Sequence, residues 1–168
     1  MIKPCFISNT VIIFVLTFIT NIHSISIFIC MNPDSIIGSH IFIVEDDTLM
    51  QFLYKRIFSR SCVLTVFNNG AEALSALQNG VTPDLIITDV NIPLLNGEEL
   101  LNKVKSHEEL SHIPIMMVSG DHSADLQRRS LLAGASDFVV KPFDAPQLTE
   151  RASKALLSAG TKLKLMHA

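Results

Sequence analysis

Polar residues stand where the chain's five apolar runs end or follow them. Glu45 and Asp46 follow HIFIV, Asp89 closes DLIITD, Ser119 follows IPIMMV and Lys141 follows SDFVV. Three carboxylates, a hydroxyl and an ammonium would, if drawn together, support phosphoryl chemistry. Glu45, Asp46 and Asp89 cannot all stay ionised at short range without raised pKa values or a cation to hold them. A hard divalent ion is the less costly solution. Mg2+ takes oxygen ligands that include one or two carboxylates, waters and a phosphoryl oxygen, and it neutralises charge on a transferring group. Lys141 adds a fixed positive charge, and Ser119 offers a donor to a phosphoryl oxygen. Asp89 is the best candidate nucleophile, because it ends the middle strand of the set and carboxylates act as covalent phosphoryl acceptors. The VNIPLLNG segment after it is a Pro- and Gly-bounded loop expected to leave its carboxylate accessible. Glu45 and Asp46 are better placed to hold the ion. Asp47, the last acid of the run, is expected to cap the following helix.

The elements that must position these groups are written in the alternation from His40 onward. The runs HIFIV, CVLTVF, DLIITD, IPIMMV and SDFVV are short, apolar and rich in β-branched residues, and segments with helical spacing separate them. Leu49, Leu53 and Ile57 recur at four-residue steps in the first such segment. Ala73, Leu74 and Leu77 line the second, which Asn79-Gly80 stops. Leu148, Ala152, Ala155, Leu156 and Ala159 form one stripe in the last. Cys62 is expected to open a strand and lie in the core. Five β/α repeats with near-continuous apolar strands imply an α/β fold with a parallel sheet covered on both faces, and right-handed crossovers make it open and doubly wound. In such folds ligands bind beyond the carboxyl ends of the strands. Every polar residue named above lies at such an end.

The 168 residues suffice for one domain plus an extension, and the net charge of −3 is mild. No Lys/Arg block long enough to grip a phosphate backbone is present, so no nucleic-acid partner is expected. The three cysteines show neither metal-ligand spacing nor a disulfide framework. Composition changes sharply near Met31. Residues 1–31 form an apolar leader whose only charge is Lys3, residues 32–39 a short lead-in, and residues 159–168 a short tail. Three readings of the leader are open. Residues 5–31 carry no Asp, Glu, Lys or Arg and could span a bilayer as an anchor. A cleaved signal peptide fits less well, since no Ala precedes Ala71. Alternatively, translation begins at Met31. Lys3 at the extreme N terminus weighs against the anchor, because it favours that end staying inside and would send the domain outward.

The ordered set IVEDD, DLIITDVNIPLLNG, IMMVSG and GASDFVVKPF resembles the receiver domain of two-component response regulators, over about residues 40–158. The resemblance implies a flavodoxin-like, five-stranded parallel sheet in the order 2-1-3-4-5 and a phosphoacceptor role for Asp89. Asp46 and Asp89 would ligate Mg2+ with Glu45 assisting, and Asn91 would contribute its main-chain carbonyl. Ser119 corresponds to the family's switch hydroxyl, Lys141 to its phosphate-contacting lysine and Phe138 to its switch aromatic. Lys141-Pro142 matches its cis peptide. The implied partners are a sensor histidine kinase or a histidine phosphotransfer protein, and a downstream protein target. The implied setting is cytoplasmic, with a membrane-anchored receiver or a non-phosphorylated interaction module as alternatives. No enzymatic turnover is implied beyond autocatalytic phosphotransfer and self-dephosphorylation.

Departures from the family pattern are few. Phe138 lacks the hydroxyl a tyrosine would bring, so a switch there would run on packing, and Ser119 is smaller than threonine but keeps the donor. Asn91 and Asp121, two residues past Asp89 and Ser119, sit where the family tunes hydrolysis, so a short-lived acyl phosphate is expected. A haloacid-dehalogenase-type phosphatase would need an acid at Asn91, and a nucleotide-binding domain would need a glycine-rich loop in place of EDDTLM. His107, His112 and His122 show no ligand spacing and read as surface residues, and Arg128 and Arg129 as a solvated helix face.

Overall fold

The computed structural model describes residues 36–166. Strands β1 (His40–Val44), β2 (Val63–Phe67), β3 (Leu85–Asp89), β4 (Ile115–Ser119) and β5 (Asp137–Val140) alternate with helices α1 (Thr48–Phe58), α2 (Gly70–Gln78), α3 (Gly97–Ser106), α4 (Ala124–Leu132) and α5 (Ala145–Met166). All strand pairs are parallel, in the order β2-β1-β3-β4-β5. This is the flavodoxin-like α/β architecture.

Alternation along the strands divides the core between two faces. Phe42, Val44, Ile86, Met117 and Phe138 pack with Ala73, Leu77, Leu100, Leu101 and Leu126 from α2, α3 and α4. Ile41, Ile43, Leu85, Ile87, Val118 and Val139 pack with Tyr54 and Phe58 of α1 and Leu148, Ala152 and Ala155 of α5. Each large aliphatic side chain buried this way contributes about 1.5–3 kcal/mol. β1, β3 and β4 bury both faces and read as near-continuous apolar runs, broken only at their ends. The edge strand β2 exposes Val63.

Local signals start and stop the helices. Asp47 caps α1, its Oδ1 accepting from the Leu49 and Met50 amides at 2.7 and 3.2 Å, as its position in the sequence suggested. Asn96 and Glu99 form a reciprocal capping box on α3. Gly80, at φ 86°, follows the Asn79 cap that ends α2.

Three expectations change. The Leu49–Leu53–Ile57 stripe does not face the sheet from end to end, since Leu49 is 78 % exposed. Two four-residue stripes run along α1 about 100° apart, and the one carrying Met50, Tyr54 and Phe58 supplies its deepest residues. Cys62 precedes β2 and is only half-buried, its thiol donating to the Ile36 carbonyl at 3.3 Å, and burial pushes its pKa up. The expected tail from 159 is not a break. α5 continues through Gly160 to Met166, since a single interior glycine costs a helix only about 1 kcal/mol and no Pro follows it. The readings of residues 1–31 lie outside the described residues, among which no helix is long and apolar enough to cross a membrane.

Candidate functional site

Register brings the polar residues to one rim. Val44 lies opposite Thr88, so Glu45 and Asp89 are the next residues on adjacent strands. Asp89 lies opposite Val118, and Ser119 opposite Val140, so Lys141 stands one step past Ser119. Backbone bonds extend the ladder beyond the strands: the Glu45 amide donates to Phe67 O at 3.0 Å, Val90 to Val118 O at 2.9 Å, and Lys141 to Ser119 O at 2.7 Å.

At the centre, the Lys141 ammonium donates to both Asp89 Oδ2 and Glu45 Oε2, the latter at 2.9 Å. Asp89 Oδ1 accepts from the Asn91 amide at 2.9 Å. Glu45 Oε1 accepts a long bond from the Asp47 amide at 3.4 Å. Gln51 of α1 donates to the Glu45 carbonyl at 2.7 Å and to Asn68 at 2.9 Å, tying the helix to the ends of β1 and β2. The Asp89 carbonyl accepts from the Thr88 hydroxyl at 3.0 Å. The Lys141–Pro142 peptide is cis.

Asp89 is only 8 % exposed and Glu45 1 %. The loop after β3 therefore leaves the Asp89 carboxylate less open than the sequence suggested, because the Lys141 side chain is paired with it. Burial raises the Glu45 pKa, which the hydrogen bond and charge of Lys141 oppose and the Asp89 charge reinforces. For Lys141, burial acts to lower the pKa, but Asp89 and Glu45 outweigh it and hold the ammonium above its ordinary value. Asp46 is exposed. Among the described residues, no group of three His, Cys, Asp or Glu side chains stands close enough together to hold a metal ion. In this arrangement the repulsion between Glu45 and Asp89 is balanced by an ammonium.

Ser119 is fully buried, and its Oγ accepts from the Asp121 amide at 3.0 Å. Asp121 is exposed, and its carboxylate accepts from Ser123 at 2.8 Å. Phe138 is buried in the core beside β4, opposite Met117. His107, His112 and His122 are exposed, and so are Arg128 and Arg129, Arg129 reaching Glu98 at 3.3 Å. One buried polar group near the site escaped sequence reasoning. Tyr54 reads as a core aromatic, and only its position on the stripe of Met50 and Phe58 could have drawn notice to it.

The geometry and the comparisons agree on family. Residues 41–153 match the response regulator receiver domain, and the chain belongs to that family. It is 34 % identical over 117 residues to the chemotaxis protein CheY of Pseudomonas aeruginosa, spanning 68 % of this chain and 93 % of that protein. It is 34 % identical over 116 residues to the sensor histidine kinase TmoS of Ectopseudomonas mendocina, spanning 69 % of this chain but 12 % of the kinase. The receiver domain of the sensor histidine kinase PA1611 from Pseudomonas aeruginosa, solved with a magnesium ion coordinated in its active-site cleft, shares the fold. That match has a TM-score of 0.65 and 22 % identity over 71 % of this chain and 98 % of that one. Receiver domains pair with sensor histidine kinases in two-component systems.

Proposed function

We propose that Asp89 accepts a phosphoryl group from a phosphohistidine on a sensor histidine kinase or histidine phosphotransfer protein. The observation that carries this reading is the Lys141 ammonium bonded to a carboxylate at the end of the middle strand. An Asp89 oxygen attacks phosphorus in line as the P–N bond breaks, and the electron pair leaves on the imidazole nitrogen. The Asn91 amide, bonded to Oδ1, fixes the carboxylate so that Oδ2 is the attacking atom. Lys141 moves its charge from that oxygen to the oxygens of the incoming group. The Ser119 hydroxyl, whose oxygen already accepts from Asp121, keeps its own proton to donate to the phosphoryl group.

The donor set is all oxygen and suits Mg2+; Asp46, Asp89 and the Asn91 main-chain carbonyl would hold it, with Glu45 assisting, once drawn closer together than they stand here. When bound, the ion supplies charge neutralisation on the transferring group. The chain acts as acceptor and not as a turnover enzyme, and the short life expected of the acyl phosphate follows from Asn91 and Asp121. Recruitment of Ser119 draws on the loop after β4 and, through Phe138 opposite Met117, shifts populations on the α4–β5–α5 face where a downstream protein binds. A phosphohistidine donor places this action in the cytoplasm.

The test is incubation with a small-molecule phosphodonor and Mg2+, read by intact mass beside Asp89→Asn. One phosphoryl adduct in the wild type and none in the variant is the expected result. An adduct surviving in Asp89→Asn refutes the assignment.

A further inference from the structure

The only tyrosine of the chain is buried on the sheet-facing side of α1, beneath the site. Tyr54 is 1 % exposed and its hydroxyl has no hydrogen-bond partner among the described residues. Phenylalanine would fill the same space without stranding a polar atom, and a buried polar group left unpaired calls for an explanation. Two contacts define the surroundings. Gln51, three residues earlier and on the same side of the helix, holds the Glu45 carbonyl. The Tyr54 ring packs on Phe143, two residues past Lys141, with centroids 5.9 Å apart. Burial, together with the charges of Glu45 and Asp89, pushes the phenol well above its ordinary range, so it acts as a donor and not as a base.

Glu45 is the acceptor that loses its partner during the reaction proposed above. Among the described residues its side chain has two bonds, one long from the Asp47 amide and one from Lys141. When Lys141 turns to the phosphoryl group, this buried carboxylate loses the shorter of its two hydrogen bonds. We propose that Tyr54 is a positioning residue for phosphotransfer, its hydroxyl donating to the Glu45 carboxylate as Lys141 leaves it for the phosphoryl oxygens. The phenol thereby stabilises the phosphorylated arrangement and leaves the resting one unaided.

This inference rests on the receiver reading, and the experiment separates their failures. With no tryptophan in the chain, tyrosine emission reports Tyr54 alone. The full chain is treated with Mg2+ and a small-molecule phosphodonor while emission and intact mass are followed, beside Tyr54→Phe. Formation of a hydrogen bond to a carboxylate lowers phenol emission, so emission falls as the adduct forms. Tyr54→Phe melts no lower than the wild type when unphosphorylated, yet takes up phosphoryl about tenfold more slowly, as expected for loss of one bond to a charged group. An adduct on Asp89 with unchanged emission, or with equal rates in the two proteins, overturns the role of Tyr54 and leaves the receiver reading standing. Absence of any adduct on Asp89 overturns both.

Discussion

A close backbone approach lies at the end of β3 and offers a direct test of how the nucleophile is positioned. Gly97 opens α3, its amide donating to the Val90 carbonyl at 3.0 Å. A Cβ built on it would stand 2.3 Å from the Asp89 carbonyl oxygen and 2.9 Å from Val90 Cα. Both neighbours are backbone, and real Cβ contacts essentially never fall below 3.0 Å, so in Gly97→Ala the start of α3 and the end of β3 separate by at least about 0.7 Å. Overpacking of this kind costs about 1–3 kcal/mol, and backbone on both sides of the contact points to the upper end. For a domain of this size the melting temperature falls by on the order of 10 °C. Asp89 shifts with its carbonyl. Since a misplacement of about 1 Å costs about a hundredfold in rate, adduct formation with a small-molecule phosphodonor slows by about ten- to a hundredfold.

Gly80→Ala supplies the control. Gly80 has a φ of 86°, a Cβ built on it would meet nothing within 4 Å among the described residues, and it lies past the end of α2, away from the site. Substitution there costs about 1–2 kcal/mol through backbone conformation alone and leaves the phosphorylation rate unchanged. Initial rates by intact mass and melting curves of the three proteins decide the matter. A wild-type rate in Gly97→Ala, or an equal slowing in Gly80→Ala, refutes the claim that the close approach positions Asp89.

Two more perturbations address the loop and the buried acid. Leu94 has a φ of 65° and is 84 % exposed, so Leu94→Asn relieves a left-handed conformation that costs a bulky residue about 1 kcal/mol. The melting temperature rises by about 3 °C, and an unchanged or lower value would show that the loop does not hold this conformation. For Glu45, the raised pKa means that the native state binds this proton more tightly than the unfolded chain does. That contribution to stability is complete below about pH 4.5 and is lost as pH rises through the native value. Glu45→Gln stays neutral throughout, so its denaturation midpoint relative to wild type climbs with pH across that window. A difference independent of pH would refute the burial argument.

The fold and the rim were legible in the sequence for a shared reason. Both depend on patterns that span whole elements: five apolar runs of strand length, each joined to the next by a helical segment, each carrying a polar residue at its end. A parallel sheet admits few ways of arranging such repeats, and its register then sets Glu45 beside Asp89 and Lys141 one step past Ser119. What escaped notice depends on contacts between elements. Leu49 and Met50 present equivalent stripes in the one-dimensional pattern, and only packing on the sheet selects the one with Tyr54 and Phe58. The charge problem was visible as three acids, but one answer to it was already among the residues named, since the Lys141 ammonium bonds both Glu45 and Asp89. Gly97 reads in the sequence only as the boundary of the loop after Asp89, because nothing in NGEEL reveals that the Asp89 carbonyl will lie against its α-carbon. A glycine required by a turn shows itself locally, whereas one required by the close approach of a separate segment shows itself only in three dimensions. The residues that set the nucleophile's position to a fraction of an ångström are accordingly those the sequence conceals most completely.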